Sequence, residues 1–152
     1  MKNLIKNNRT RINADLKTAK ARSCFSPVLL GLYQSIKPAI ERYAGGKLLD
    51  IGCGDMPYHD LIVKKTAQYD TLDVKARIEG VKYIGSVDKM DMIAAKSYDT
   101  VVCFEVLEHV PNPFQALEEI RRILKIGGIL ILTVPHLSRL HEIPNDYYRY
   151  TY

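Results

Sequence analysis

The sequence of 152 residues predicts an α/β fold, a Rossmann-like, doubly wound parallel sheet of about five strands. Three observations predict it. From residue 47 onward, short apolar runs alternate with helical stretches. The runs are apolar on both faces, which is typical of strands covered by helices on each side. A glycine-rich turn follows the first run. The predicted strands are residues 47–51, 68–74, 81–85, 98–104 and 129–134.

Composition narrows the class of protein. Apolar residues make up 47% of the chain and charged residues 26%, enough for one domain with a core. This excludes a disordered chain, a collagen-like repeat and a disulfide-stapled miniprotein. No apolar run approaches the ~20 residues of a membrane-spanning helix. The cysteines, Cys24, Cys53 and Cys103, lie far apart without zinc-site spacing. We therefore expect no metal site and a reducing, cytoplasmic compartment.

The positive charge is concentrated near the N-terminus. Residues 1–45 hold nine basic and two acidic residues (+7), and the remainder holds thirteen basic and fifteen acidic residues (−2), which gives the net charge of +5. We predict a basic helical extension over residues 1–44 and a second domain over 45–152. Pro27 opens a helix over residues 28–43, which Gly45 and Gly46 end. Pro38 inside it is expected to kink or split the helix.

Two further helices are predicted between the strands. One covers residues 57–65, with Asp55 as its N-cap and Pro57 in its first turn. The other covers residues 113–125 and is strongly amphipathic, with apolar residues on one side. The pair Gly127-Gly128 is predicted to stop this second helix.

The turn after the first strand carries the most chemical information. It runs Asp50-Ile51-Gly52-Cys53-Gly54, and two glycines let the backbone turn tightly and lie against a ligand. The dinucleotide fingerprint would need a third glycine where Pro57 stands, and no phosphate-binding P-loop spacing is present. Asp50 would repel a pyrophosphate but attract an ammonium group. The turn therefore favours a cationic ligand without phosphates, such as S-adenosylmethionine.

Two more acids follow the next two strands. Asp73 stands 19 residues after Gly54, close to the ~20-residue offset at which an acid reaches ribose hydroxyls. Asp88 follows the third strand, and with Met90 it is placed to meet an adenine ring. Because parallel strands end at one edge of a sheet, these acids are predicted to share a ligand site there.

Residues 48–151 resemble a class I S-adenosylmethionine-dependent methyltransferase of the small-molecule type. The resemblance lies in the first turn, in Asp73, in Ser86-Val87-Asp88, and in three longer segments, which are residues 98–110 (YDTVVCFEVLEHV), 124–130 (LKIGGIL) and 144–151 (PNDYYRYT). It implies S-adenosyl-L-methionine as cofactor. The predicted cofactor-binding residues are Asp50, Gly52, Cys53, Gly54, Asp73, Val74, Asp88, Lys89, Met90 and Glu105.

The family's sheet has seven strands, so the resemblance implies that this chain lacks the last two. The fifth strand would then be an apolar edge. Three alternatives follow: the chain is a fragment of a longer protein, it forms a homo-oligomer through this edge, or it is poorly stable. We expect methyl transfer to a small-molecule or lipid-like acceptor. An alternative is a cofactor-binding module or fragment without turnover of its own. A weaker alternative is RNA modification with the basic arm holding phosphates, although nucleic acid is not the favoured partner. No residue is assigned as catalytic.

Overall fold

The computed structural model describes residues 18–24, 26–136 and 146–151. A five-stranded sheet lies at its centre, with every neighbouring pair of strands parallel and the order β3-β2-β1-β4-β5. The direction of winding changes between β1 and β4, which is where folds of this kind bind ligands. The predicted α/β fold class is confirmed. The strands are β1 (Lys47–Ile51), β2 (Gln68–Asp73), β3 (Tyr83–Ile84), β4 (Tyr98–Phe104) and β5 (Leu124–Thr133).

Helices cover both faces of the sheet. In chain order they are α1 (Ala19–Ser23), α2 (Pro27–Tyr43), α3 (His59–Ile62), a 3-10 turn (Leu107–His109) and α4 (Pro113–Ile123). Successive residues of one strand enter different cores, because side chains alternate across a sheet. Leu49 and Val101 belong to the cluster that includes α4, whereas Leu48 and Val102 belong to the cluster that includes α1, α2 and α3.

Helix α2 shares its core with the sheet. Ile36 and Ile40 are 1% and 0% exposed and pack in the same cluster as Leu48 of β1. Pro38 does not split the element into two helices, because Pro27–Tyr43 runs as one helix of 17 residues. The predicted kink at Pro38 stays a prediction. Residues 1–17 of the predicted basic extension lie outside the described residues, and the boundary at residue 44 stays a prediction.

The helix after the glycine turn differs from its prediction. It spans only His59–Ile62, and Tyr58 occupies the N-cap position. Asp55 does not cap it, because its carboxylate forms an ion pair with Arg22 of α1, 2.5 Å away. The carbonyl of Pro57 accepts a hydrogen bond from the backbone N–H of Ala19 at 2.8 Å. Contacts with α1, which are distant in sequence, therefore outweigh the local capping preference.

Two other boundaries are also corrected. Strand β3 is only two residues long, because Lys82 N–H donates at 2.9 Å to the Thr71 hydroxyl rather than to a strand carbonyl. Helix α4 ends at Ile123, and β5 begins at Leu124. The carbonyl of Ile123 accepts from Ser97 N–H at 2.8 Å, so pairing with the chain entering β4 ends the helix early. The predicted stop at Gly127-Gly128 therefore lies within β5, where the β4–β5 register shifts.

Strand β5 lies at one side of the described sheet, with β4 as its neighbour. Its apolar side chains Ile126 and Leu132 are 91% and 37% exposed. Homo-oligomer formation through this strand stays a prediction. In the ranges that the structure describes, no helix has the length and apolar character required to cross a membrane. The cytoplasmic location also stays a prediction.

Candidate functional site

A cleft of about 520 Å³ opens at the carboxyl ends of the strands, beside the switch point between β1 and β4. Four chain segments form its walls, one after each of the first four strands. The lining residues are Ile51, Gly52, Gly54, Leu72, Asp73, Val74, Lys75, Arg77, Gly85, Ser86, Val87, Glu105, Val106, His109 and Val110. Five of the ten residues predicted to bind the cofactor are therefore brought together here.

The glycine turn is held in a conformation that ordinary residues disfavour. Gly52 and Gly54 have φ of +67° and +52°, in the left-handed region that favours glycine. A Cβ atom on Gly52 would lie 2.3 Å from Cγ2 of Val106, whereas one on Gly54 would meet nothing within 4 Å. Gly52 thus lets the loops after β1 and β4 interlock, and Gly54 leaves open space above the turn.

Asp73 at the end of β2 is fixed by two backbone hydrogen bonds. Its Oδ2 accepts from Gly54 N–H at 2.9 Å and its Oδ1 from Lys75 N–H at 3.1 Å. The side chain is buried, yet the residue lines the cleft. The carboxylate is therefore preorganised, because each oxygen already has one donor and keeps a second acceptor position.

Asp50 lies beneath the turn rather than in the cleft lining. It is 6% exposed, and its Oδ2 accepts a hydrogen bond from the Tyr69 hydroxyl at 2.6 Å. Burial raises the pKa of Asp50 to about 7, against the lowering effect of the Tyr69 hydrogen bond, and the nearby charge of Asp73 raises it further. Asp50 is thus poised to change its charge near neutral pH.

Glu105 stands where β4 leaves the sheet. Its φ is +53°, and its N–H donates to both the carbonyl and the hydroxyl of Thr133 at the end of β5, at 3.1 and 3.2 Å. A left-handed conformation costs a residue with a Cβ atom roughly 1–2 kcal/mol. Strained residues held in place by their surroundings concentrate at functional sites, and Glu105 lines the cleft.

Four other predicted cofactor-binding residues are not among the cleft-lining residues, namely Cys53, Asp88, Lys89 and Met90. Cys53 is 3% exposed, and burial raises the pKa of its thiol to about 12. Met90 is fully buried in the core, and neither Asp88 nor Lys89 is among the cleft-lining residues. Met90 is held there because its N–H donates to Glu119 of α4 at 2.9 Å. The segment after β3 thus folds back onto α4, and Gly85, Ser86 and Val87 line the cleft in place of residues 88–90.

Sequence reasoning missed several lining residues. Lys75 and Arg77 follow Asp73, and Val106 and His109 follow Glu105. Nearness in sequence could have indicated them, since each lies within four residues of a predicted site residue. Their exact roles depend on how each loop folds after its strand ends.

The segment 146–151 packs beside the cleft, against the chain that follows β4. Tyr147 N–H donates to the carbonyl of Glu108 at 2.7 Å, and the Tyr148 hydroxyl donates to the carbonyl of Pro111 at 2.8 Å.

The side chain of Glu108 is fully buried, with no hydrogen-bond partner for its carboxyl oxygens among the described residues. Burial raises its pKa, and the neighbouring charge of Glu105 adds to this.

Comparison with known proteins identifies the family to which the chain belongs. A family model described as "Methyltransferase domain" matches residues 29–151. The chain belongs to this methyltransferase family. The resemblance to class I S-adenosylmethionine-dependent methyltransferases is thereby confirmed. Part of the predicted N-terminal extension, from residue 29, lies inside the matched range.

The relatives agree with that assignment. Over 103 residues the chain is 34% identical to a ubiquinone biosynthesis O-methyltransferase of Xanthomonas oryzae, covering 59% of this chain and 43% of the relative. The chain therefore matches less than half the length of that methyltransferase. A putative methyltransferase from Bacillus halodurans has a TM-score of 0.58 at 20% identity, over 70% of this chain and 52% of that one. The trans-methyltransferase CalH, solved in complex with SAH, has a TM-score of 0.51 at 20% identity, over 64% and 34%. At these identities the two structures support the fold alone.

The residues of the cleft fit the family's cofactor. The ligand carries ribose hydroxyls and a cationic amino-acid end, and the cleft offers a preorganised carboxylate, Asp73, next to a turn with open space above Gly54. The buried carboxyl of Asp50 lies behind the same turn. Among the parts of the chain that the structure describes, no cluster of metal-binding side chains is found.

Proposed function

We propose that the chain binds S-adenosylmethionine in this cleft and transfers its methyl group to a hydroxyl of a small or lipid-like acceptor. Asp73 carries the proposal. Its carboxylate lies in the wall of a cleft beside a turn that has no side chains at positions 52 and 54. Carboxylates at this sheet edge accept hydrogen bonds from ribose hydroxyls.

The cleft residues then take separate roles. Asp73 binds the ribose, and the backbone of Gly52 and Gly54 lies against the amino-acid end of the cofactor. Val74, which is 59% exposed and lines the cleft, packs on the adenine ring. Glu105, which lines the cleft after β4, orients the amino-acid end. Contacts by Cys53, Asp88, Lys89 and Met90 stay predictions, and the burial of Met90 and Cys53 argues against direct contact by their side chains.

The bound cofactor supplies a methyl group already activated on a sulfonium. The chain therefore has to position the acceptor and exclude water. A hydroxyl acceptor must also lose a proton. His109 lines the cleft after β4, and an imidazole is a side chain that accepts such protons. His109 Nε2 lies 3.8 Å from the buried carboxyl of Glu108.

The choice of a hydroxyl acceptor rests on the relatives. Their printed name is ubiquinone biosynthesis O-methyltransferase, but the match covers 43% of the relative. The acceptor and the activity of the whole protein are therefore proposals. A cofactor-binding module without turnover is the alternative, and the binding and turnover experiments separate the two.

Binding is tested by calorimetry with S-adenosylmethionine and S-adenosylhomocysteine on wild type, Asp73→Asn and Asp91→Asn. Asp91 is an exposed acid outside the cleft lining, so it controls for loss of charge. Loss of a charged hydrogen bond is worth ~1.5–3 kcal/mol, so we expect roughly tenfold to hundredfold weaker binding for Asp73→Asn only. No binding by wild type would refute the proposal, and unchanged binding by Asp73→Asn would refute the ribose assignment.

Turnover is tested with a panel of catechols and hydroxylated quinols, by mass spectrometry of the methylated product and of released S-adenosylhomocysteine. Methylation of at least one acceptor supports the proposed activity. Binding of the cofactor with no product from any acceptor favours the module alternative.

A further inference from the structure

The segment 146–151 presents a row of tyrosine rings to which the proposed function gives no role. Tyr147 and Tyr148 are 46% and 39% exposed, whereas Tyr150 packs against the core cluster that includes α4. The ring centroids of Tyr147 and Tyr148 lie 6.3 Å apart, and those of Tyr148 and Tyr150 lie 6.4 Å apart. These three rings form the tyrosine row, which begins at the core and ends in solvent.

Hydrogen bonds hold the tyrosine row in place, although its segment forms neither helix nor strand. The backbone of Tyr147 and the hydroxyl of Tyr148 are bonded to the chain that follows β4. Tyr150 N–H donates to the carbonyl of Pro135 at 3.2 Å, and His136 Nδ1 donates to the carbonyl of Tyr150 at 2.8 Å. Because the row is bonded to the chain after both β4 and β5, its exposed rings are fixed before a ligand arrives.

An ion pair stiffens the segment between the exposed rings. Arg149 Nη2 donates to Asp146 Oδ2 at 2.6 Å, and its Nη1 donates both to the other oxygen of Asp146 and to the carbonyl of Tyr148. A two-point pair of this kind imposes a fixed geometry. It also balances the charge of Arg149 within the segment, so the exposed rings are the groups left to recognise a ligand. Exposed apolar surface held rigid in water marks a binding site.

The tyrosine row stands next to the wall of the cleft that follows β4. The carbonyl groups that bind Tyr147 and Tyr148 belong to the residues on either side of His109 and Val110, both of which line the cleft. In the sheet, β2 lies on one side of the switch point, and β4 and β5 lie on the other. A cofactor held by Asp73 at the end of β2 therefore leaves the side of β4 and β5 for the second reactant.

We propose that Tyr147 and Tyr148 form an acceptor platform, on which a flat aromatic ring stacks while its hydroxyl points into the cleft toward His109. The inference rests on the proposed function and narrows the acceptor to aromatic hydroxyl compounds, such as catechols. Tyrosine rings bind other rings in offset or edge-to-face arrangements, with centroids about 4.5–7 Å apart. The two exposed rings already have this spacing, so a third ring extends the row without rearranging it.

An NMR titration of catechol tests the platform without turnover. The protein is first saturated with S-adenosylhomocysteine, and the ring signals of Tyr147 and Tyr148 are followed as catechol is added. These signals should shift, because a stacked ring changes the magnetic environment of its neighbours. A cyclohexane diol with adjacent hydroxyl groups carries the same functional groups without an aromatic ring. It should bind roughly threefold to tenfold more weakly, which is the worth of one aromatic contact.

Leucine substitutions remove a ring but keep an apolar side chain. Tyr147→Leu should weaken catechol binding and raise its KM roughly threefold to tenfold, with kcat and the affinity for S-adenosylhomocysteine as in wild type. Tyr147→Phe keeps the ring and should bind catechol as wild type does. Tyr43→Leu is the matched control, because Tyr43 is 44% exposed and ends α2. This control should leave every one of these values unchanged.

The outcomes separate the two proposals. If S-adenosylhomocysteine does not bind, the proposed function fails and the platform fails with it. If it binds but catechol leaves the ring signals unchanged, or binds Tyr147→Leu as tightly as wild type, only the platform is overturned. Equal affinity for catechol and the aliphatic diol overturns aromatic recognition. Ring signals that shift with protein concentration alone would assign the tyrosine row to contacts between copies of the chain, which also overturns the platform.

Discussion

Replacing Gly52 by alanine should destabilise the protein, because the new Cβ atom clashes with Val106. The energetic cost of this clash can be separated from that of backbone strain. The new Cβ would lie 2.3 Å from Cγ2 of Val106, far inside van der Waals contact. Valine is stiff about χ1, so the two loops must shift apart. Overpacking of this kind costs ~1–3 kcal/mol. The left-handed φ of +67° adds roughly 1–2 kcal/mol for alanine.

Gly54→Ala is the matched control. Its φ of +52° imposes a similar backbone strain, but a Cβ there meets nothing within 4 Å. Both substitutions also restrict the unfolded chain to the same extent. The difference between their free energies of unfolding therefore isolates the clash, and we expect Gly52→Ala to be about 1–3 kcal/mol less stable than Gly54→Ala.

The assay is urea denaturation without ligand, completed by a double-mutant cycle. Val106→Ala removes the Cγ2 atom responsible for the clash, so the double variant Gly52→Ala/Val106→Ala should recover most of the clash energy. The reasoning fails if Gly52→Ala is no less stable than Gly54→Ala. It also fails if the Gly52→Ala substitution costs the same with valine or alanine at position 106.

Two further predictions concern buried titratable groups. Glu108→Gln should stabilise the protein increasingly as pH rises above the ordinary glutamate pKa of 4.5, because burial raises the folded-state pKa of Glu108 and ionisation then opposes folding. Urea denaturation at pH 5 and pH 7.5 measures this. Iodoacetamide should label the exposed Cys24 in the native protein but spare Cys53 and Cys103, which are buried with raised thiol pKa values. Mass spectrometry of the labelled peptides gives the answer.

Each of these has a clear contrary result. An equal effect of Glu108→Gln at both pH values would mean that Glu108 does not carry a raised pKa in the folded state. If iodoacetamide labelled Cys53 as fast as Cys24 in the native protein, the glycine turn would have to open readily. Denatured protein, in which all three cysteines should react, provides the control.

Much of the site could be predicted because it lies at strand ends. Asp73 and Glu105 each stand where an apolar run stops, and parallel strands bring such positions to one edge. Asp88 and Met90 were expected there for the same reason, but neither is among the cleft-lining residues, and Met90 is buried in the core. The chain after β3 is held against α4 by a hydrogen bond from Met90 N–H to Glu119, 29 residues away. No local pattern encodes such a contact.

The helix ends illustrate the same limit. Asp55 has the residue type of an N-cap, yet it pairs with Arg22. Residues 124 and 125 continue the amphipathic pattern of α4, yet both belong to β5, and Leu124 pairs with Tyr98 of β4. In both places a tertiary contact is worth more than a capping or propensity preference of ~1 kcal/mol.

By itself the sequence determined the fold class and the order of the strands along the chain, because hydrophobic periodicity and the glycine turn are local in sequence. Its motifs also carried the resemblance to the family. The tertiary structure alone decided which side chains share the cleft, that Val106 fills the space over Gly52, and that Tyr69 meets Asp50. These features depend on close packing and on burial, which set distances and pKa values between residues far apart in the chain.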